Sequence, residues 1–167
     1  MNLITYGHII DKNKFRLIKN ELAISNKPRG GLWCCPVDNV RFDWKYFCEL
    51  EDFRRESLGT FTKFHFSKPK NLLKIKTAKD VEQYTEILLP TPDQIWLDRK
   101  YKTINFEKLA QDYDGIWLTE EAYILSQQEL RPWESEEHEL FCTWDCECLL
   151  LFNLDNLVID ETVYSGG

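Results

Sequence analysis

Two carboxylates stand two residues apart, Asp145 and Glu147, directly before the apolar run Cys148-Leu149-Leu150-Leu151-Phe152. A carboxylate at the edge of an apolar environment is costly to ionise unless a cation or a donor meets it. Acids held that way can stabilise a developing positive charge or move a proton. The same pair also suits a solvated strand cap. In an extended chain residues two apart share a face, so both acids are expected on one side of the strand.

Three other groups carry chemistry. His8 follows Tyr6-Gly7 near the start, and the glycine marks a bulge or a close approach to the backbone. Further on runs Lys27-Pro28-Arg29-Gly30-Gly31-Leu32-Trp33-Cys34-Cys35-Pro36. Its two glycines let a ligand's polar part near the main chain, and Lys27 and Arg29 suit a phosphate. The spacing is neither a Walker loop nor a dinucleotide fingerprint. The six cysteines have no zinc-finger or zinc-ribbon spacing and are read as reduced, buried small hydrophobes. No metal is expected.

The elements that must position these groups follow from the apolar pattern. Strands are predicted over Leu3–Ile10, Leu32–Cys35 and Ile116–Leu118, and in a central buried run over Trp144–Asn153. A last strand is predicted over Leu157–Ile159. Phe61–Phe66 and Leu72–Lys76, joined by Ser67-Lys68-Pro69-Lys70-Asn71, read as a hairpin, with Thr62, Phe64 and Phe66 on one face. Helices are predicted over Asp38–Arg55, capped by Asp38 or Asn39, and over Ile104–Tyr113. Another begins at Thr77 and is ended by Pro90 and Pro92. Glu120–Phe141 reads as a long acidic loop that covers something.

The bulk numbers set limits. Net charge is −7, which excludes a general binder of phosphate backbones. With 43% hydrophobic and 14% aromatic residues the chain is globular, and its 167 residues are expected to form a single domain, 1–167, of α+β class. The opening lacks the basic start and apolar core of a secretory signal, and no apolar run is long enough to span a membrane. A cytoplasmic, soluble protein is expected.

Together, Tyr6-Gly7-His8, the turn Gly30-Gly31 into Leu32-Trp33-Cys34-Cys35, the aromatic helix with Trp44 and Tyr46, and the late strand opening at Glu147 resemble the ADP-ribosyltransferase superfamily. The resemblance implies a split antiparallel sheet with flanking helices and NAD as substrate. It implies Glu147 as the catalytic carboxylate, with Asp145 orienting or deprotonating the acceptor. Tyr6 or His8 would hold the ribose, and Trp33 with Trp44 or Tyr46 would sandwich the nicotinamide. Gly31 would lie against the ligand, and Arg29 or Lys27 would meet the diphosphate. The implied activity is transfer of ADP-ribose from NAD to a macromolecule, a protein rather than bulk nucleic acid, or NAD hydrolysis. The alternative is an inactive relative that binds a protein partner through its acidic segment Glu134–Glu139.

Overall fold

The apolar run that follows the two acids forms the most deeply buried strand of the molecule. A computed structural model describes residues 1–21, 26–38, 41–88, 101–128 and 135–165. Along the chain come β1 (Asn2–Tyr6), β2 (Leu32–Pro36), α1 (Trp44–Leu50), β3 (Phe61–Phe66), β4 (Leu72–Ile75), β5 (Thr85–Leu88) and β6 (Tyr101–Ile104). They are followed by α2 (Phe106–Asp112), β7 (Gly115–Leu118), α3 (Glu120–Gln127), α4 (Glu136–Phe141), β8 (Cys148–Leu151) and β9 (Leu157–Val163). The class is α+β. Seven strands form one sheet in the order β4-β7-β8-β2-β1-β3-β9, and β5 and β6 pair separately. Within the large sheet β4 and β7 are parallel, and the other neighbours are antiparallel.

β8 lies between β7 and β2, and all four of its residues are buried. Burying a leucine such as Leu149 or Leu150 contributes roughly 1.5–3 kcal/mol. Alternation along the strands gives the sheet two apolar faces. One carries Ile4, Cys35, Ile116, Leu118, Cys148 and Leu150, and packs against Phe106 and Leu109 of α2 and Leu140 and Phe141 of α4. The other carries Leu3, Leu32, Cys34, Phe64, Leu149 and Leu151, with Ile10 and Phe15 against it.

The expected hairpin does not form. β3 pairs with β1 and β9, while β4 pairs in parallel with β7, from Leu72↔Gly115 to Ile75↔Leu118. The two ends of the intervening turn are anchored apart: the Ser67 amide donates to Asn156 O (2.9 Å), and the Asn71 amide donates to the Asp114 carboxylate (2.9 Å). In a flat sheet β3 and β4 would stand about 24 Å apart, five spacings of ~4.8 Å. The chain from Phe66 to Leu72 reaches only about 21 Å fully extended. The sheet is therefore not flat, and within the connection the Lys70 ammonium lies over the Phe66 ring at 4.8 Å.

Other expectations are corrected in detail. Glu120–Phe141 contains two helices. Thr119 caps α3 by accepting from the Ala122 amide, and Ser135 caps α4 by accepting from the His138 amide. The helix expected over Asp38–Arg55 is only α1, and its cap is Asp43, which accepts from the Tyr46 amide at 2.8 Å. Asn39, Pro90 and Pro92 lie outside the described residues. The helix starting at Thr77 is a 3-10 segment, Ala78–Tyr84, entered through a capping box of Thr77 and Asp80, and Ile87 and Leu88 belong to β5 instead. The buried strand is also shorter than Trp144–Asn153, and this decides where the acids point.

Candidate functional site

β1 and β2 touch through only two register pairs, Leu3↔Pro36 and Ile4↔Cys35. Beyond them the strands part. Thr5 and Tyr6 stay with β3, and Trp33 and Cys34 stay with β8. Where the strands diverge a cavity of about 390 Å³ opens, within the usual size range of small-molecule sites. Tyr6, Gly7 and His8 form one wall, where β1 ends at Gly7 with φ +83°. Trp33, Cys34 and Cys35 of β2 form the opposite wall, with Trp44 at the start of α1. Trp144, Asp145 and Cys146 form the floor, and Lys27, Arg54 and Ser57 also line the cavity.

The floor is built by a non-strand segment. Trp144 is fully buried, edge-on to Trp33 (centroids 4.8 Å) and to Phe141 (5.6 Å). Its indole N–H donates to Asn26 O at 3.0 Å. The Glu147 amide donates to Phe42 O at 2.8 Å. Residues 144–147 precede β8 and make no ladder, so strand alternation does not govern them.

The two acids consequently do not share a face. Asp145 lines the cavity, with its carboxylate 2.9 Å from the Lys27 ammonium. Glu147 turns away from the cavity and is 6% exposed. It accepts from the Trp117 indole N–H at 3.0 Å. Trp117 packs on the sheet face opposite to the cavity floor. Burial holds the Glu147 carboxyl above its ordinary value, against the Trp117 bond, which lowers it. Glu147 ties the entrance of β8 to β7, and the carboxylate in the cavity is Asp145.

Of the other predicted residues, Tyr6, His8, Trp33 and Trp44 meet around the cavity, whereas Arg29, Gly31 and Tyr46 stay outside it. Burial, then the Asp43 carboxylate, push the Tyr6 phenol up to about 12, so it is a neutral donor. Partial burial lowers the His8 pKa, which keeps the imidazole neutral at pH 7. Arg29 points to solvent, its Nε donating to Glu21 at 2.8 Å. Tyr46 stands edge-on to Phe42 on the surface of α1. Gly30 and Gly31 accommodate their own chain rather than a ligand. A Cβ on Gly30 would lie 2.2 Å from Leu17 O, and one on Gly31 would lie 2.7 Å from side chains of Ile18 and Leu150.

Several lining residues carry no signature in the sequence. Arg54 and Ser57 belong to a short 3-10 helix after α1, Arg55–Gly59, of which Arg54 is the N-cap, and no spacing rule finds such groups. Cys35 and Cys146 are free and buried, and the Cys146 thiol, then burial, hold Cys35 well above its ordinary value. Trp144 was legible as the bulkiest residue beside the acids, but not as the cavity floor. Among the described residues no group of His, Cys, Asp or Glu is arranged to hold a metal ion.

Three acids of the segment bond to their own chain. The Ala78 amide donates to Glu137 (3.0 Å), the Lys102 amide donates to Glu139 (2.9 Å), and the Lys102 ammonium donates to Glu136. These acids fasten α4 to its own chain; Glu134 lies outside the described residues. No helix among the described residues is long and apolar enough to cross a membrane. No family model, curated protein or solved structure matches the chain.

Proposed function

We propose that the cavity where β1 and β2 part binds NAD, and that the protein is an ADP-ribosyltransferase-like enzyme whose working carboxylate is Asp145. The carrying observation is the meeting of Tyr6, His8, Trp33, Trp44 and Asp145 around one opening. A nicotinamide ring is flat and cationic, and indole and phenol faces beside a carboxylate suit such a ring. In the reaction the bond from nicotinamide to ribose breaks, and nicotinamide leaves neutral with the bonding pair. Positive charge develops on the ribose, where the Asp145 carboxylate stabilises it, and an acceptor nucleophile or water bonds to the anomeric carbon and gives up its proton to solvent. Tyr6 and His8 offer hydrogen bonds to the ribose hydroxyls. The parting of β1 from β2 supports the split-sheet architecture that the resemblance implies.

A second reading has its own support. Lys27 already holds Asp145 in an ion pair, and Glu147 is committed elsewhere, which suits a domain that binds NAD without turning it over. Calorimetry with NAD and an assay for released nicotinamide test both. Saturable binding with release abolished in Asp145→Asn is the result expected of the enzyme. Saturable binding without release selects the second reading. A folded protein that ignores millimolar NAD overturns both.

A further inference from the structure

Both cations that the sequence offered for a phosphate are committed: Arg29 to Glu21 outside the cavity, and Lys27 to Asp145 inside it. We propose that Arg54 is the phosphate-recognising residue of the cavity, so that the ligand is a phosphorylated nucleotide rather than a bare nucleoside. This rests on the NAD reading and names the group that reads its diphosphate.

Four observations carry it. Arg54 lines the cavity. Among the described residues no carboxylate lies within ion-pair distance of its guanidinium, whereas the adjacent Arg55 is bonded to Asp52 (3.1 Å) and to Glu49 O (2.6 Å). The guanidinium instead lies over the Phe53 ring, 5.1 Å from its centroid, which orients it without neutralising it.

The fourth is backbone strain. Arg54 has φ 47° and ψ 35°, and Asp52 has φ 52°. Left-handed conformations are uncommon for residues other than glycine, and they persist where their surroundings hold them. Ser57 does the holding: its amide (2.9 Å) and its hydroxyl (2.7 Å) both donate to Arg54 O. Ser57 in turn stands against Gly7, where an added Cβ would lie 3.5 Å from the Ser57 Cβ. The arginine is thereby fixed on the rim beside the end of β1. Among the described lining residues the Asp145 charge is shared with Lys27, which leaves Arg54 as the cation free to meet an anionic diphosphate. A guanidinium grips phosphate oxygens in pairs, which a lysine cannot do.

The test is calorimetry with NAD and with nicotinamide riboside, which has the same cationic ring but no phosphate. The proteins are the wild type, Arg54→Gly and Arg54→Lys. Glycine accepts the left-handed backbone, so Arg54→Gly removes the guanidinium without adding strain, and its thermal transition checks the fold. Arg54→Gly is expected to weaken NAD binding about tenfold or more, as loss of a charge-assisted bond does, and to leave the riboside unaffected. Arg54→Lys recovers part of the loss, and the salt dependence of NAD binding is smaller in Arg54→Gly than in the wild type. Wild-type NAD affinity in folded Arg54→Gly overturns the assignment of Arg54 and leaves the NAD reading standing. Equal wild-type affinity for NAD and the riboside overturns phosphate recognition in the same way. If the wild type binds neither, the NAD reading itself falls, and this inference with it.

Discussion

Asp145 and Glu147 are separated by one cysteine and meet opposite surroundings. Asp145 sits at the cavity, about a third exposed, and its partner is a mobile-stemmed lysine. Glu147 is buried on the far side, and its partner is the Trp117 indole N–H. One acid is placed where a ligand can displace or join its partner, and the other where nothing can. The difference comes from four residues that are not strand. The period of two holds only inside a ladder, and the ladder begins at Cys148.

The strongest way to break the comparison is to remove what sets the segment. Trp144→Ala deletes a fully buried indole packed against Trp33, Phe106 and Phe141 and leaves Asn26 O without its donor. A destabilisation of about 3–5 kcal/mol is expected. Urea unfolding measures it, and ligand binding should fail together with stability.

The acids themselves should separate the two effects. Glu147→Ala leaves the Trp117 indole N–H without its acceptor, at a cost of about 1–3 kcal/mol, while NAD affinity of the folded protein is retained. Asp145→Asn does the reverse. Its ion pair is partly exposed and contributes about 0–1 kcal/mol, so the midpoint of unfolding barely moves while nicotinamide release is lost. A catalytic loss in Glu147→Ala at unchanged stability would exchange the two roles.

Of the two acids that the resemblance singled out, Asp145 lines the cavity and Glu147 turns away from it. Legible in the sequence were the strands at the start and end, the Trp33 strand stopped by Pro36, the Thr77–Asp80 capping box and the aromatic walls. All of these rest on local pattern. Pairing partners were not legible. Phe61–Phe66 shows its alternation plainly, yet nothing in six residues says that its neighbours are β1 and β9 rather than the next strand along. The helices in Glu120–Phe141 were present as Thr119-Glu120-Glu121 and Ser135-Glu136-Glu137. Those acids signal helix starts, since a first turn favours negative charge, and reading them as mere polarity hid the signal. Arg54 was out of reach because its placement depends on two left-handed residues that sequence rules assign to glycine.

A finer distinction comes from pH. Burial raises the Glu147 carboxyl above its ordinary 4.5, so the folded state holds this proton more tightly than the unfolded chain. The resulting stability is fully present below 4.5 and is lost as pH rises through the raised value. Asp114 and Glu137 are lowered in the fold and contribute the opposite slope, lost as pH falls through their values, so the total curve mixes both. The difference between wild type and Glu147→Gln isolates Glu147. Wild type should lose stability relative to the variant as pH rises just above 4.5, measured by urea unfolding at each pH. A flat difference would mean that the carboxylate is not desolvated and that the Glu147 site is more open than its burial indicates.

The smallest effect is the most discriminating for the cations. Arg29 was a candidate for the diphosphate on sequence grounds, yet its guanidinium is turned to Glu21, and the bridge between Lys19 and Arg29 holds the chain there through backbone groups alone. Arg29→Ala should therefore leave NAD affinity unchanged within the error of calorimetry. Lys27→Ala should not be silent, because it frees Asp145 and alters the charge of the cavity floor. If Arg29→Ala weakened NAD as much as Arg54→Gly, the ligand would have to reach past the cavity to the outer turn. The contrast between a chemical inside and a structural outside would then have to be redrawn around Gly30 and Gly31.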